Sequence, residues 1–371
     1  AMSLSRVPGP DRLFVGGVWA LNMESQRQQL HDEGITHVLS VIKYSFDHWG
    51  EEAKRFPHHL SIDIDDDEDM DLLAHLPDAV RFIDQGLYPP APAGESSGTT
   101  GGSSSSSSSS RTEQIREGAV EEPRSPGAVY VHCAMGKSRS VSCVIAYLLW
   151  KYPHRFGGGK PLAASTPAER RASAAQAVDR ALELVRQGRS IAEPNDGFMD
   201  QLRLWWVMGC PAGAGGQLEN HPAYQKWLYE RLLKEARDAH VPPDAGHIRF
   251  EDEVVVQQAD PATQGRPAGG EAEVRCKKCR RTLATPKFVV SHGGGAPPAA
   301  SAGSCAHVFI DTLSWMRPAL EDGALEGRLN CPNAKCGATV GRFAWQGMMC
   351  SCKQWVVPAF SLNRSRVDEL V

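Results

Sequence analysis

Hydrophobic and polar positions over the first two thirds of the chain switch between two periods. RLFV (12–15), THVLSVI (36–42), HLSIDI (59–64) and GAVYVHC (127–133) are short apolar or β-branched runs and read as buried strands. Between and after them stand segments with apolar residues at helical spacing. These are NMESQRQQLHDEG, closed by Gly34 as a left-handed cap, then 71–87, the strongly apolar 138–152, 181–189 and 197–208. Alternation of this kind predicts an α/β domain with a largely parallel central sheet flanked by helices. Two inserts interrupt it. Residues 89–126 contain GESSGTTGGSSSSSSSS, and 153–175 are rich in Gly, Pro and Ala, so both are expected to be surface loops. Residues 221–239 predict one amphipathic helix and 257–273 a flexible linker. Beyond Val274 the chain is rich in β-branched and aromatic residues, which predicts a small β-rich domain. The expected boundaries are 1–210, 211–273 (helix and linker) and 274–371.

Composition sharpens this picture where it is uneven. The 371 residues suffice for two domains. There is no apolar run of transmembrane length, so no membrane partner is expected. The first residues lack the apolar stretch of a secretory signal, which suggests a reducing compartment. Ten cysteines there are expected to be catalytic, metal-binding or buried, not paired in disulfides. Seven of them fall after residue 275, and residues 271–371 carry 13 Lys and Arg against 8 Asp and Glu, a formal +5 on a chain of net −4. Metal-bound thiolates would lower that figure, so the basic balance alone is a weak nucleic-acid signal.

The segment Val131-His132-Cys133-Ala134-Met135-Gly136-Lys137-Ser138-Arg139-Ser140 leaves a predicted strand and enters a predicted helix. Such a loop turns its backbone N–H groups inward at a helix N-terminus, where the dipole adds positive charge, and so forms a cradle for a phosphate dianion. The same field favours the thiolate of Cys133. Arg139 can hold two phosphate oxygens with its planar fork, Gly136 tolerates unusual dihedrals, Ser140 can donate to the sulfur, and His132 is expected to orient the loop. Residues 134–139 form the expected phosphate-binding set. A cysteine at a strand end is ordinarily a small buried hydrophobe, but His, Cys, Gly and Arg at these spacings between strand and helix are too specific for that account.

This loop is the signature of the protein tyrosine phosphatase superfamily. Arg139-Ser140 and Pro194-Asn195-Asp196-Gly197-Phe198-Met199-Asp200-Gln201-Leu202 resemble its dual-specificity branch, in which the matching segment packs under the active site. In that branch an aspartate protonates the leaving group from a loop between a strand and a helix. The loop here is Ile64-Asp65-Asp66-Asp67-Glu68-Asp69-Met70-Asp71-Leu72. The family spacing selects Asp66, with Asp65 and Asp67 as alternatives.

Cys276-x2-Cys279, Cys331-x4-Cys336 and Cys350-x-Cys352 supply six thiols, and Cys305 a seventh. Zinc takes four nitrogen or sulfur ligands, so two structural zinc ions need one histidine more. His292, in a Gly-rich loop, takes that place, with His307 as the alternative. The expected pairing is interleaved: Cys276, Cys279, Cys331 and Cys336 in one site, His292, Cys305, Cys350 and Cys352 in the other. Sequential pairing is the alternative. These motifs, with Phe309-Ile310, Trp315-Met316, Gly341-x-Phe343-x-Trp345-x-Gly347 and Arg366-Val367-Asp368-Glu369, resemble the dual-specificity phosphatase 12 family and its fungal orthologues. The x4 spacing at Cys331 and Met135 in the loop depart from that pattern.

The resemblance implies hydrolysis of phosphotyrosine and phosphoserine/threonine in phosphoproteins, and a zinc domain that binds pre-60S ribosomal particles during late, stalk-forming assembly of the large subunit, in cytoplasm and nucleus. An assembly factor whose phosphatase activity is dispensable is one alternative. A phosphoinositide or RNA phosphatase, favoured by Lys137 in the loop, is another. The basic run from Arg275 to Arg281 is compatible with contact to RNA phosphates.

Overall fold

The four predicted strand runs form one sheet, and the order in which they pair sets the place of the loop after residue 133. The computed structural model describes residues 4–89, 127–157, 166–213, 218–253, 273–292 and 305–370. The predicted insert 89–126, apart from its first residue, and nearly all of the predicted linker 257–273 lie outside these. The chain divides into two compact units, 1–224 and 225–371.

In the first unit β1 (Leu4–Arg6), β2 (Arg12–Gly17), β3 (Ile35–Ser40), β4 (His58–Ser61) and β5 (Ala128–Cys133) make a sheet of order β1-β2-β5-β3-β4. β1 runs antiparallel, and the other pairings are parallel. β5 is therefore central. All six of its residues are buried, which explains its unbroken apolar run. The helices are α1 (Trp19–Asn22), α2 (Glu24–Asp32), α3 (Leu76–Leu87), α4 (Arg139–Lys151), α5 (Pro167–Gly188) and α6 (Asp196–Val207). Ten of the thirteen residues of α4 are buried, since it packs against β5 and is covered by α3, α5 and α6.

The predicted helix closed by Gly34 is α2, entered from Met23, which is extended (φ −97°, ψ 121°) and separates it from α1; Gly34 has φ +62°. One expectation fails locally. The insert 153–175 is not all loop. Pro153–Phe156 is a 3-10 turn, and α5 starts at residue 167, so the predicted helix 181–189 is only the end of 22 residues. The reason is a capping box. The Glu169 N–H donates to Thr166 Oγ1, and the Thr166 N–H donates to the Glu169 carboxylate, which lets an Ala- and Arg-rich stretch propagate.

α7 (Pro222–Asp238) leads into the second unit. Its core includes Ile248, Phe250, Leu313, Met316, Leu329, Phe343 and Phe360, with Leu233 of α7 packed on it. Residues 225–253, expected to lie in a connecting segment, thus belong to this unit. Glu251 N–H bonds Thr312 O at 2.9 Å, and the Asp252 carboxylate accepts from both Ser314 N–H and its hydroxyl. The cysteine pattern gave no hint of these apolar anchors. The rest is β-rich: β6 (Glu273–Cys276), β7 (Thr282–Ala284), β8 (His307–Phe309), β9 (Glu326–Asn330), β10 (Thr339–Ala344), β11 (Met348–Met349), β12 (Trp355–Val356), β13 (Ala359–Asn363) and β14 (Val367–Leu370). They form sheets of order β8-β13-β10-β9, β14-β6-β7 and β11-β12.

Candidate active site and metal clusters

β5 ends at Cys133 and α4 begins at Arg139, so the loop between them lies at the C-terminal edge of a parallel sheet and the N-terminus of a buried helix. Gly136 sits at φ +67°, and a Cβ there would collide with the backbone of Gly16, so only glycine closes the loop. The Cys133 sulfur is buried. It accepts from Gly136 N–H at 3.2 Å and Ser140 hydroxyl at 3.3 Å. Burial pushes this thiol up. The Ser140 hydroxyl and the N–H groups of Ser140, Lys137 and Gly136 outweigh it, and the net direction is down, toward thiolate.

His132 is fully buried, with Nε2 2.6 Å from Ser40 Oγ, which also lies 2.9 Å from His59 Nε2. Its ring stacks on Tyr130, and burial pushes its pKa down to about 3. It is a neutral hydrogen-bonding strut behind the loop and cannot serve as the acid. Tyr130 ties β5 to β2 by donating to Gly17 O at 2.7 Å.

The three candidate carboxylates differ. Asp66 accepts from Ser138 Oγ at 2.6 Å and from Asn195 Nδ2 at 3.0 Å, and its second oxygen lies 3.7 Å from Arg139 Nε. Asp67 instead caps its own turn by accepting from Asp69 N–H. Asp65 is exposed. Arg139 donates through Nη1 to Ile64 O at 2.8 Å, while its Nε is buried without a hydrogen-bond partner. A buried guanidinium with a spare donor suits an oxyanion in the cradle.

The segment 194–202 holds this acidic loop. Asn195 caps α6 by accepting from Phe198 N–H and reaches Asp66 with its amide. Gln201 accepts from Leu73 N–H and donates to Met70 O. Gly197 lies so close to Glu68 that a side chain would strike its backbone.

Two features had no sequence signal. One is Ser40. The other is Arg189, buried at 4% exposure, which donates to Gly136 O at 2.5 Å and Met135 O at 2.8 Å and so braces the loop from outside. Lys137 pairs with Glu193 at 2.5 Å, both side chains exposed.

In the second unit Cys276, Cys279, Cys331 and Cys336 form one group, and His292, Cys305, Cys350 and Cys352 another, with the ligand atoms of each within 4.8 Å of one another. Sulfurs stand 3.9 Å apart for Cys276–Cys336 and 3.5 Å for Cys279–Cys331, and His292 Nε2 lies 3.0 Å from Cys350. A tetrahedral ion with bonds of about 2.3 Å would fit such spacings. The Arg281 N–H draws Cys279 down to about 6, whereas burial drives Cys331 up to about 12. Sulfurs this close cannot all be ionised unless a cation lies among them. His307 lies outside both groups, on β8. The x4 spacing is absorbed by a turn in which Cys336 N–H and Gly337 N–H both reach Asn333 O. In each knuckle the residue after the second cysteine is left-handed: Arg280 (φ 63°), Gly337 (φ 54°) and Lys353 (φ 66°).

No family model matches the chain. It is 31% identical over 366 residues to tyrosine-protein phosphatase YVH1 of Saccharomyces cerevisiae, covering 90% of this chain and 84% of that protein. Against human dual specificity protein phosphatase 12 it is 26% identical over 374 residues, covering 96% and 86%. Among solved structures, the Yvh1 phosphatase domain of Chaetomium thermophilum is 47% identical over 57% of this chain and all of that one, with a TM-score of 0.43. With its buried-thiol loop and a likeness that spans both units, the chain belongs to the Yvh1 and dual-specificity phosphatase 12 family and is a dual-specificity protein phosphatase.

Proposed function

We propose that Cys133 is the nucleophile of a two-step phosphoprotein hydrolysis. The observation that carries it is the buried sulfur at the mouth of an N–H cradle, accepting hydrogen bonds from Gly136 N–H and the Ser140 hydroxyl and drawn toward thiolate. The thiolate attacks phosphorus, and the bond to the tyrosine, serine or threonine oxygen breaks as that oxygen takes a proton from Asp66. Arg139 and the loop amides of residues 134–138 hold the three equatorial oxygens. Water then attacks the cysteinyl phosphate, giving its proton to the Asp66 carboxylate, and the sulfur leaves with a hydrogen bond from Ser140. Orthophosphate departs and the thiolate is restored. Asn195 and Ser138 aim Asp66. Cys133→Ser should abolish hydrolysis of a small aryl phosphate without unfolding the protein, and near-normal turnover in that variant would place the nucleophile elsewhere. A phosphoinositide or RNA phosphatase is the weaker reading, because Ala134 and Met135 in the loop are uncharged and Lys137 pairs with Glu193.

The second unit, with two structural zinc ions on the two ligand groups, is the docking device of the enzyme. We assign it to pre-60S ribosomal particles in late stalk assembly, in cytoplasm and nucleus. One observation supports a polyanionic partner. Arg342 on β10 lies directly opposite Arg328 on β9, and both, with Arg366 and His307, line one hollow of about 390 Å³. None of the three arginines pairs with a carboxylate among the described residues. Like charges directly across a ladder are unfavourable unless an anion bridges them. In the basic run after residue 274, by contrast, Arg275 pairs with Glu273 and Arg280 with Asp368. The test is a sucrose-gradient profile of cells carrying R328E/R342E in place of the native protein. Loss of co-sedimentation with large-subunit precursors is expected, and unchanged co-sedimentation would remove this assignment. Cys133→Ser in the same assay separates an assembly role from a catalytic one.

A further inference from the structure

The loop amides that face a phosphate turn the side chains of the loop outward, onto the rim of the cradle. On that rim Met135 is 62% exposed. Beside it stand Trp19 (57%), Met23 (46%) and Ile191 (51%). Nine large hydrophobic residues are strongly exposed among the described residues, and four of them line one groove of about 430 Å³. Single exposed hydrophobics need no explanation, but four from separate elements converging on one groove do.

The backbone ties this groove to the chemistry. Gly17 is the partner of Cys133 in the β2–β5 ladder, Val18 N–H donates to Ala134 O at 3.2 Å, and Trp19 follows at once. Ile191 comes two residues after Arg189, whose guanidinium holds Met135 O and Gly136 O. The only cation in the lining is therefore turned into the loop. Asp66, Asn195 and the Lys137–Glu193 pair take no part in it. An apolar groove that shares Met135 with the phosphate cradle suits an apolar group attached to the phosphorylated residue. An extended peptide advances about 3.3 Å per residue, so a side chain one or two positions from the phosphoresidue reaches the rim while the phosphate stays in the cradle.

We propose that this groove binds a bulky apolar side chain of the phosphoprotein substrate next to the phosphorylated residue, so that Trp19, Met23 and Ile191 determine substrate sequence preference. This rests on the phosphatase reading of the Cys133 loop.

The experiment uses the full chain and phosphotyrosine peptides in an Ala/Gly host, with one Leu walked from two residues before to two residues after the phosphotyrosine. In the wild type, Leu at one of these positions should raise kcat/KM about tenfold over Ala, the scale of discrimination by a few methylenes in a pocket. Trp19→Ala and Ile191→Ser should each reduce that ratio to below about threefold. Both side chains are exposed, so turnover of a small aryl phosphate should stay at wild-type level and serves as the control for folding. No Leu position exceeding twofold over Ala, or a preference retained in both variants, overturns the proposal. So does a concentration-dependent dimer lost in Trp19→Ala while peptide preference persists, since the groove would then be a self-interface. Failure of the wild type to hydrolyse the aryl phosphate would instead sink the phosphatase reading, and the groove with it.

Discussion

Replacing Arg189 with Met tests whether the phosphate loop is held from behind. The guanidinium is buried and donates to two loop carbonyls, at 2.5 and 2.8 Å, and to Ser5 Oγ at 3.3 Å. Hydrogen bonds from a charged donor contribute about 1.5–3 kcal/mol each, and methionine would leave one buried and one part-buried carbonyl short of a donor. A loss of about 3–5 kcal/mol is expected, out of the about 5–15 kcal/mol typical of a domain. Urea denaturation of the first unit's transition reads this directly. A purely structural part would end there, but Arg189 also lies close enough to Cys133 for their charges to interact. Its removal takes away a cation that favours the thiolate, so alkylation of Cys133 by iodoacetate should shift to higher pH. Because the carbonyls it holds belong to the peptide units that aim the loop amides, kcat on an aryl phosphate should fall about 10- to 100-fold, somewhat below the loss of a direct oxyanion donor. Arg189→Lys should restore part of the alkylation profile. If Arg189→Met is destabilised yet keeps both the wild-type alkylation profile and kcat, Arg189 is packing only and the brace does not exist.

Other outcomes follow from the same geometry. Asp66→Asn should lower kcat about 100-fold on alkyl phosphates and much less on nitrophenyl phosphate, while Asp65→Asn and Asp67→Asn stay near wild type; a leaving-group dependence in either of the latter would move the acid. Stability of the first unit should decline as pH drops from about 6.5 toward 3, because His132 and His37, held neutral at about 3 and about 4, bind protons in the unfolded chain first. The slope is at most about 1.4 kcal/mol per pH unit for each histidine, and His132→Gln should flatten it in urea titrations run across that range. Metal analysis of the purified chain should find two zinc ions, His292→Ala one, and His307→Ala two; a strong chelator should unfold the second unit while aryl phosphatase activity persists.

Sequence reading reached the parallel sheet because its central strands are buried on both faces and carry continuous apolar runs. It also reached the residues of the thiol loop, whose chemistry needs particular types at short spacing. It missed what is carried by partners far apart in the chain. Arg189 is one charged residue at the end of a helix until the fold brings it 2.8 Å from Met135 O. Ser40 is one more hydroxyl in a strand until it meets His132. The start of α5 is hidden because its Ala- and Pro-rich composition suggests a loop, whereas the Thr-x-x-Glu cap is the signal that starts the helix. Among the three neighbouring aspartates the family spacing selects Asp66, but the Ser138 and Asn195 contacts that set it apart from Asp67, which caps its own turn, are visible only in the fold.

The interleaving of the two ligand groups has a consequence for the order in which the protein is made. One group reaches from residue 276 to 336 and the other from 292 to 352, so each closes only after the other has opened. A chain growing from its N-terminus holds every residue of the phosphatase unit, up to 224, before the first cysteine pair of the second unit has been synthesised. From residue 276 until 336 has emerged, the exposed thiols of Cys276 and Cys279 wait without their partners. Neither site can then be excised as an independent finger: any cut between 292 and 336 severs both. The two ligand groups are therefore completed one after the other, at residues 336 and 352, late in the synthesis of the chain.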